Sequence, residues 1–374
     1  MPLVEVEAAE TQDDADLWFL PGPLEEEPDF LSPGPALEAK ESEIVDAWRA
    51  AEAGQAAQLA RVAARMGILD ERLRRGPAGW RQRLALIEAS ELSWLTQDRI
   101  GLDRLSLYIA LRVSTVTDDA QALYRIGWTV RRLVGGPAPL MLQSGVAELE
   151  TFLDRRSQPG QWERFEDAGA SSRVIEMAER ETFENRAAGW LAMMDQAEDL
   201  HPVTRACMGF HLWHVAELSQ IDDPLEAAVT AARIAVADLA SARSAPGGIF
   251  APIAMGGGGG LRAIGEPAAR LARWLSAMES GVFAALRRLE EIEAWAANAE
   301  RQMTPLSGKT PLMLRDLFTS WPLLSVQMAE KLTGAHRATV QRNIDWMEEK
   351  GLVREVTGQG RYRMWRIVET RATE

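Results

Sequence analysis

Apolar residues recur every three or four positions along most of the chain, the period that lines one face of an α-helix. The clearest stripe is Leu271, Trp274, Leu275, Met278, Phe283, Leu286, Leu289 and Ile292. It follows Glu266-Pro267, where a first-turn proline costs no hydrogen bond, so a long helix is expected from there. A second stripe, Val174, Met177, Ala178, Phe183, Trp190, Leu191 and Met194, follows Ser171-Ser172, which are suited to capping. Asp222-Asp223-Pro224 has the same start signature for a helix through Ala240. Strand-like alternation is nearly absent before residue 350. The thirteen tryptophans are scattered singly and read as core anchors. The pattern predicts an all-α protein with a helical bundle domain over 44–300.

The pattern changes over 301–374. Thr310-Pro311 opens a short helix, Leu312–Ser320, with Leu314, Leu317 and Phe318 on its apolar face. Ser325 is placed to cap the next helix, and Gly334 to end it in a left-handed conformation. Another helix follows almost at once, over 335–350. Small Ala329 leaves room for it, and Val340 and Ile344 pack it back. Two short strands around Thr357-Gly358-Gln359-Gly360 then form a hairpin within 352–367. Three helices and a β-hairpin in about sixty residues look like a winged helix-turn-helix domain. In that reading the helix over 335–350 enters the major groove, presenting His336, Arg337, Thr339, Gln341 and Arg342. Arg pairs bidentately with guanine and Gln with adenine, so the set has readout capacity. Arg361 and Arg363 on the hairpin, and Lys331 on the preceding helix, are placed for the backbone.

Charge supports reading the C-terminal end for function. The chain of 374 residues has a formal net charge of −14. Residues 1–44 hold −12 of it, whereas 301–374 carry +4. The first 43 residues combine acid runs with Pro21-Gly22-Pro23 and Pro33-Gly34-Pro35, the composition of a disordered arm. A solvated tail is the expected state; an arm that covers the basic surface by mimicking DNA is the alternative. No run of 18 uncharged apolar residues occurs, so no membrane helix is expected. The N-terminus lacks a secretory pattern, and the single Cys207 forms no internal disulfide, so the protein is expected in the cytoplasm. The glycine run Gly256–Gly260 lacks the Lys-Ser/Thr pair of a phosphate loop and reads as a flexible surface loop. His211, His214 and Glu217, at i, i+3 and i+6, share a helix face but lack a fourth ligand. No metal or cofactor is expected.

The chain resembles a bacterial, often plasmid-borne family in which a domain of unknown function precedes a helix-turn-helix domain. Ile68-Leu69-Asp70-Glu71-Arg72-Leu73, Glu88-Ala89, Leu102-Asp103-Arg104-Leu105 and His201-Pro202-Val203-Thr204-Arg205-Ala206 bear that resemblance, with the terminal winged helix. The layout is also remotely similar to Fic proteins, helical enzymes that transfer AMP and often end in a winged helix. Their active site needs a His-Pro-Phe-x-Asp/Glu-Gly-Asn-Gly-Arg loop. Here the stretch Glu217–Leu225 lacks the histidine, glycines, asparagine and arginine, and Val203 follows His201-Pro202. The resemblance therefore implies a catalytically silent scaffold and not an enzyme. The expected function is transcriptional regulation through double-stranded DNA, as a homodimer, with the helical domain open to a protein partner. An AMP transferase with a divergent site and a non-catalytic protein-interaction scaffold are the rivals.

Overall fold

A computed structural model describes residues 35–112, 120–139, 145–155, 170–219, 224–239, 249–358 and 363–368, without the side chains of 35–41 and 170–181. Of the arm drawn over 1–43, residues 1–34 lie outside the described residues, as do Asp222-Asp223, Arg361 and the side chains of Ser171-Ser172, Val174, Met177 and Ala178, whereas 35–43 are helical, as the start of the first helix.

Thirteen α-helices appear among the described residues: α1 (Pro35–Gly54), α2 (Ala56–Arg75), α3 (Gly79–Leu95), α4 (Leu102–Leu111), α5 (Ala120–Val134), α6 (Val146–Phe152), α7 (Ala170–Gln196), α8 (Pro202–Val215), α9 (Leu225–Ile234), α10 (Pro267–Met303), α11 (Thr310–Ser320), α12 (Val326–Thr333) and α13 (Arg337–Glu349). The strands β1 (Leu324–Ser325), β2 (Val353–Glu355) and β3 (Met364–Ile367) form one small sheet near the C-terminus. The fold is thus all-α with a helix-turn-helix and a small wing. No helix of the described residues is long and apolar enough to cross a membrane.

The spine is α10. It begins at Glu266-Pro267 as the sequence suggests, and its 37 residues extend for about 55 Å. Leu271, Trp274, Leu275, Met278, Leu289 and Ile292 are buried along it. Phe283 departs from the expected stripe: it is half exposed and lies 4.2 Å under the Arg65 guanidinium of α2. Arg65 pairs with Glu279, and Arg72 with Glu290 and Glu293, so residue numbers rise together and the two helices run parallel. Helix α9 stops at Ile234, short of Ala240, and turns replace the expected last turns.

The glycine run is not a flexible surface loop. A Cβ on Gly281 of α10 would stand 2.0 Å from the Pro252 carbonyl, and one on Gly256 would stand 2.6 Å from the Ala277 carbonyl. These glycines let the loop backbone lie directly on the helix. Glu88, fully buried on α3, then takes the N–H groups of Ile253 and Ala254 (both 2.7 Å) and Met255 (2.9 Å). An internal carboxylate holds the donors that a phosphate loop offers to its ligand.

Ile44–Glu374 is one compact unit, and the boundary drawn at 300/301 falls inside α10. One continuous apolar core runs from Val45 to Ile367. Polar contacts fix the join. Buried Arg83 of α3 donates to the carbonyls of Phe318 (3.0 Å) and Trp321 (2.7 Å) at the end of α11. Trp295 of α10 donates from Nε1 to the Leu352 carbonyl at 2.7 Å, and its ring meets Phe318 edge-on.

Candidate nucleic-acid interface

The helix-turn-helix forms where its local signals say it should. Ser325 caps α12 by accepting the Met328 N–H at 3.1 Å, and Gly334 ends it at φ +69°. His336 then caps α13, its Nδ1 accepting the Ala338 N–H at 3.3 Å. Val340, Ile344 and Met347 form the buried stripe of α13, packed over α11 and α12 beside the fully buried Ala329. At 100° per residue this places Ala338, Arg342, Asp345 and Glu349 outward, with Arg337 and Gln341 on one flank. Thr339 is half-buried on the other flank, and its carbonyl accepts from Asn343.

Charge along α13 opposes the helix macrodipole. Anions favour a helix N-terminus and cations its C-terminus. Here the first turn has Arg337 and no acid, while Asp345, Glu348 and Glu349 occupy the second half with no basic residue in the last turn. Each misplaced charge costs roughly 0.3–1 kcal/mol in the free protein. Among the described residues Arg337 and Arg342 are exposed and form no ion pair. A polyanion at this end relieves the imbalance, because the backbone donors, the dipole and both arginines then face negative charge.

The wing is tied to the same helix. Strand order is β1-β3-β2, all antiparallel, with Leu324 opposite Trp365 and Val353 opposite Ile367. Trp365 Nε1 donates to Glu348 of α13 at 3.0 Å. Glu355 organises the turn after β2 by accepting from Thr357 and from the Gly358 N–H, and these donors hold its carboxyl below the ordinary value. Arg363 lies 4.8 Å over the Trp365 ring and 3.9 Å from Glu348, its side chain still 44% exposed.

Arg354 and Arg366 form a pair that the motif reading passed over. They stand directly opposite each other in the β2–β3 register, and both are exposed. Like charges at that spacing repel. The strand pattern was the available signal: Arg366 is the exposed residue between buried Trp365 and Ile367, and Arg354 follows buried Val353.

Lys331 is placed differently from the other cations of the set. Its Nζ donates to the Ala110 carbonyl at the end of α4, at 2.7 Å, so it ties α12 to the helical body. Arg361 lies outside the described residues. Gln341 donates from Nε2 to Asp345 at 2.7 Å.

The other sequence candidates sit apart from this face. His211 stacks on Trp48 and meets Phe210 edge-on, as does His214, whereas Glu217 pairs with Arg186 at 3.1 Å. Burial pushes the His211 imidazole down to about 4, with Arg270 and His214 adding to the shift. His201 caps α8 with Nδ1 on the Val203 N–H, and its own N–H goes to Glu52. His201, Glu52 and Arg49 line a groove of about 470 Å³, where Arg49 is held by Asp46 and Asp199. Among the described residues no cluster of three His, Cys, Asp or Glu is placed to hold a metal.

Residues 312–368 match the family model of an HTH DNA binding domain. The match runs from α11 through β3 and takes in the cap, turn, helix and wing described above. No curated protein matches the chain. The chain thus has a C-terminal helix-turn-helix DNA-binding domain, which supports DNA as a partner.

Proposed function

We propose that the protein is a sequence-specific transcriptional regulator that reads the major groove with α13 and grips the backbone with the wing. The observation behind this is the inverted charge of α13, within a segment that matches a DNA-binding family. Arg337, Gln341 and Arg342 take base edges, with His336 and Thr339 at the margins. Arg363 and Arg361 take phosphates, joined by the opposed Arg354 and Arg366. Lys331 serves chiefly as the strut to α4. The regulator acts as a homodimer, since operators are commonly paired half-sites. The helical body supplies the surface for the second copy or a protein partner and has no catalytic task.

Selection of bound sequences from random duplex DNA tests the reading, with full-length protein and an Arg337→Ala, Arg342→Ala variant side by side. An enriched motif that the variant loses supports it, and a palindromic motif supports the dimer. No enrichment, or equal affinity of the variant, overturns it. Titration with ATP tests the enzymatic alternative: heat of binding or a raised melting temperature revives it.

A further inference from the structure

The Gln341–Asp345 pair changes what α13 offers to a base edge. A carboxylate only accepts hydrogen bonds, so the contact at 2.7 Å must use the Gln341 amide nitrogen. That fixes the side chain with one of its two amide N–H groups spent on Asp345, leaving Oε1 and a single N–H free. Asp345 is itself on the outward stripe and adds further acceptor oxygens. With the Asp345 carboxylate beside it, the paired unit offers more acceptors than donors, whereas a glutamine alone offers one acceptor and two donors.

We infer that Gln341 and Asp345 together form a specificity element that selects a base with an exocyclic amino group in the major groove, cytosine N4 or adenine N6. This rests on the DNA-reading role proposed for α13. Thymine and guanine present O4, or O6 and N7, to the same groove and meet the pair acceptor against acceptor. Asp345 also bounds the readout. Its carboxylate repels phosphates, so a base amino group is the favourable partner for this turn. Of the guanine-directed donors, Arg337 lies N-terminal to the turn and Arg342 lies within it, next to Gln341.

The same selection from random duplex DNA tests the inference, with wild type, Asp345→Ala and Gln341→Ala. Both residues lie off the buried stripe of α13, and melting temperatures confirm that the variants fold. The wild type is expected to enrich a position restricted to cytosine or adenine, where changing to thymine or guanine weakens binding about tenfold or more. Asp345→Ala removes the carboxylate that accepts from cytosine N4 and leaves Gln341, so preference at that position moves towards adenine, and Gln341→Ala relaxes it. Direct exchange of cytosine for adenine in the enriched duplex tells which amino group is read. An enriched motif whose base preferences are the same in all three proteins overturns the inference while leaving the regulator reading intact. Absence of any wild-type motif overturns both.

Discussion

Glu88 and His211 titrate in opposite directions inside the helical body. Burial pushes the Glu88 carboxyl up to about 7, against the lowering effect of its three N–H donors. Between its ordinary value near 4.5 and about 7 the folded protein keeps a proton that the unfolded chain has lost. Its contribution to stability is thus present below 4.5 and lost as pH rises through 7. His211 titrates near 4 in the fold against an ordinary 6.5, so its contribution is present above 6.5 and lost as pH falls through 4. Each shift corresponds to about 3 kcal/mol, and across pH 4.5–6.5 the two nearly offset. Urea melts over that range are expected to show stability rising with pH more steeply in Glu88→Gln than in the wild type. His211→Phe keeps the stack on Trp48 and is expected to give the reverse; parallel curves for all three would refute the assignment. Gly281 makes a second residue-scale point. By helix propensity Gly→Ala stabilises by up to about 1 kcal/mol. Here the new methyl would meet the Pro252 carbonyl, and the expected outcome is a loss of about 3 kcal/mol in the same melts.

Among the elements, the wing shows a charge arrangement that disfavours the free protein. Arg354 opposite Arg366 is repulsive, so Arg366→Thr is expected to raise stability by about 0.5 kcal/mol. The same change is expected to weaken binding to all sequences alike and to lower the slope of log affinity against log salt by about one. Thermal melts and filter binding from 50 to 200 mM salt check both signs. Reduced stability with an unchanged salt slope would place the pair outside the interface. The elements also differ in how plainly the sequence announced them. Helices α10 to α13 were legible because capping and termination are local: Pro267, Ser325 and Gly334 act within one turn of themselves. Strand β1 was not legible. It is two residues long and exists only because Leu324 and Ser325 pair with β3 forty residues away.

For the whole molecule, the helix-turn-helix is not an appended module on a linker. Arg83, Trp295 and Lys331 each bond a carbonyl across the join, over separations of more than fifty residues. Calorimetric unfolding of the chain is therefore expected to show one cooperative transition for the described body and the DNA-binding domain together. Two well-separated transitions would refute it. Arg83→Ala leaves the Phe318 and Trp321 carbonyls buried without this donor and is expected to cost about 3 kcal/mol.

The sequence by itself determined the class of fold, the order of the C-terminal helices and hairpin, and the cations exposed on α13. Periodicity, caps and turn residues act over a few positions, so they survive translation into structure. The tertiary structure decided what depends on distant neighbours. It seated the glycine run on α10 because Gly281 and Gly256 let two backbones touch, and it gave that loop's donors to Glu88. It turned Lys331 towards Ala110 and set Arg354 against Arg366. A lone residue type shows what a side chain is able to do; which partner it meets is fixed only when packing brings remote segments within hydrogen-bond distance.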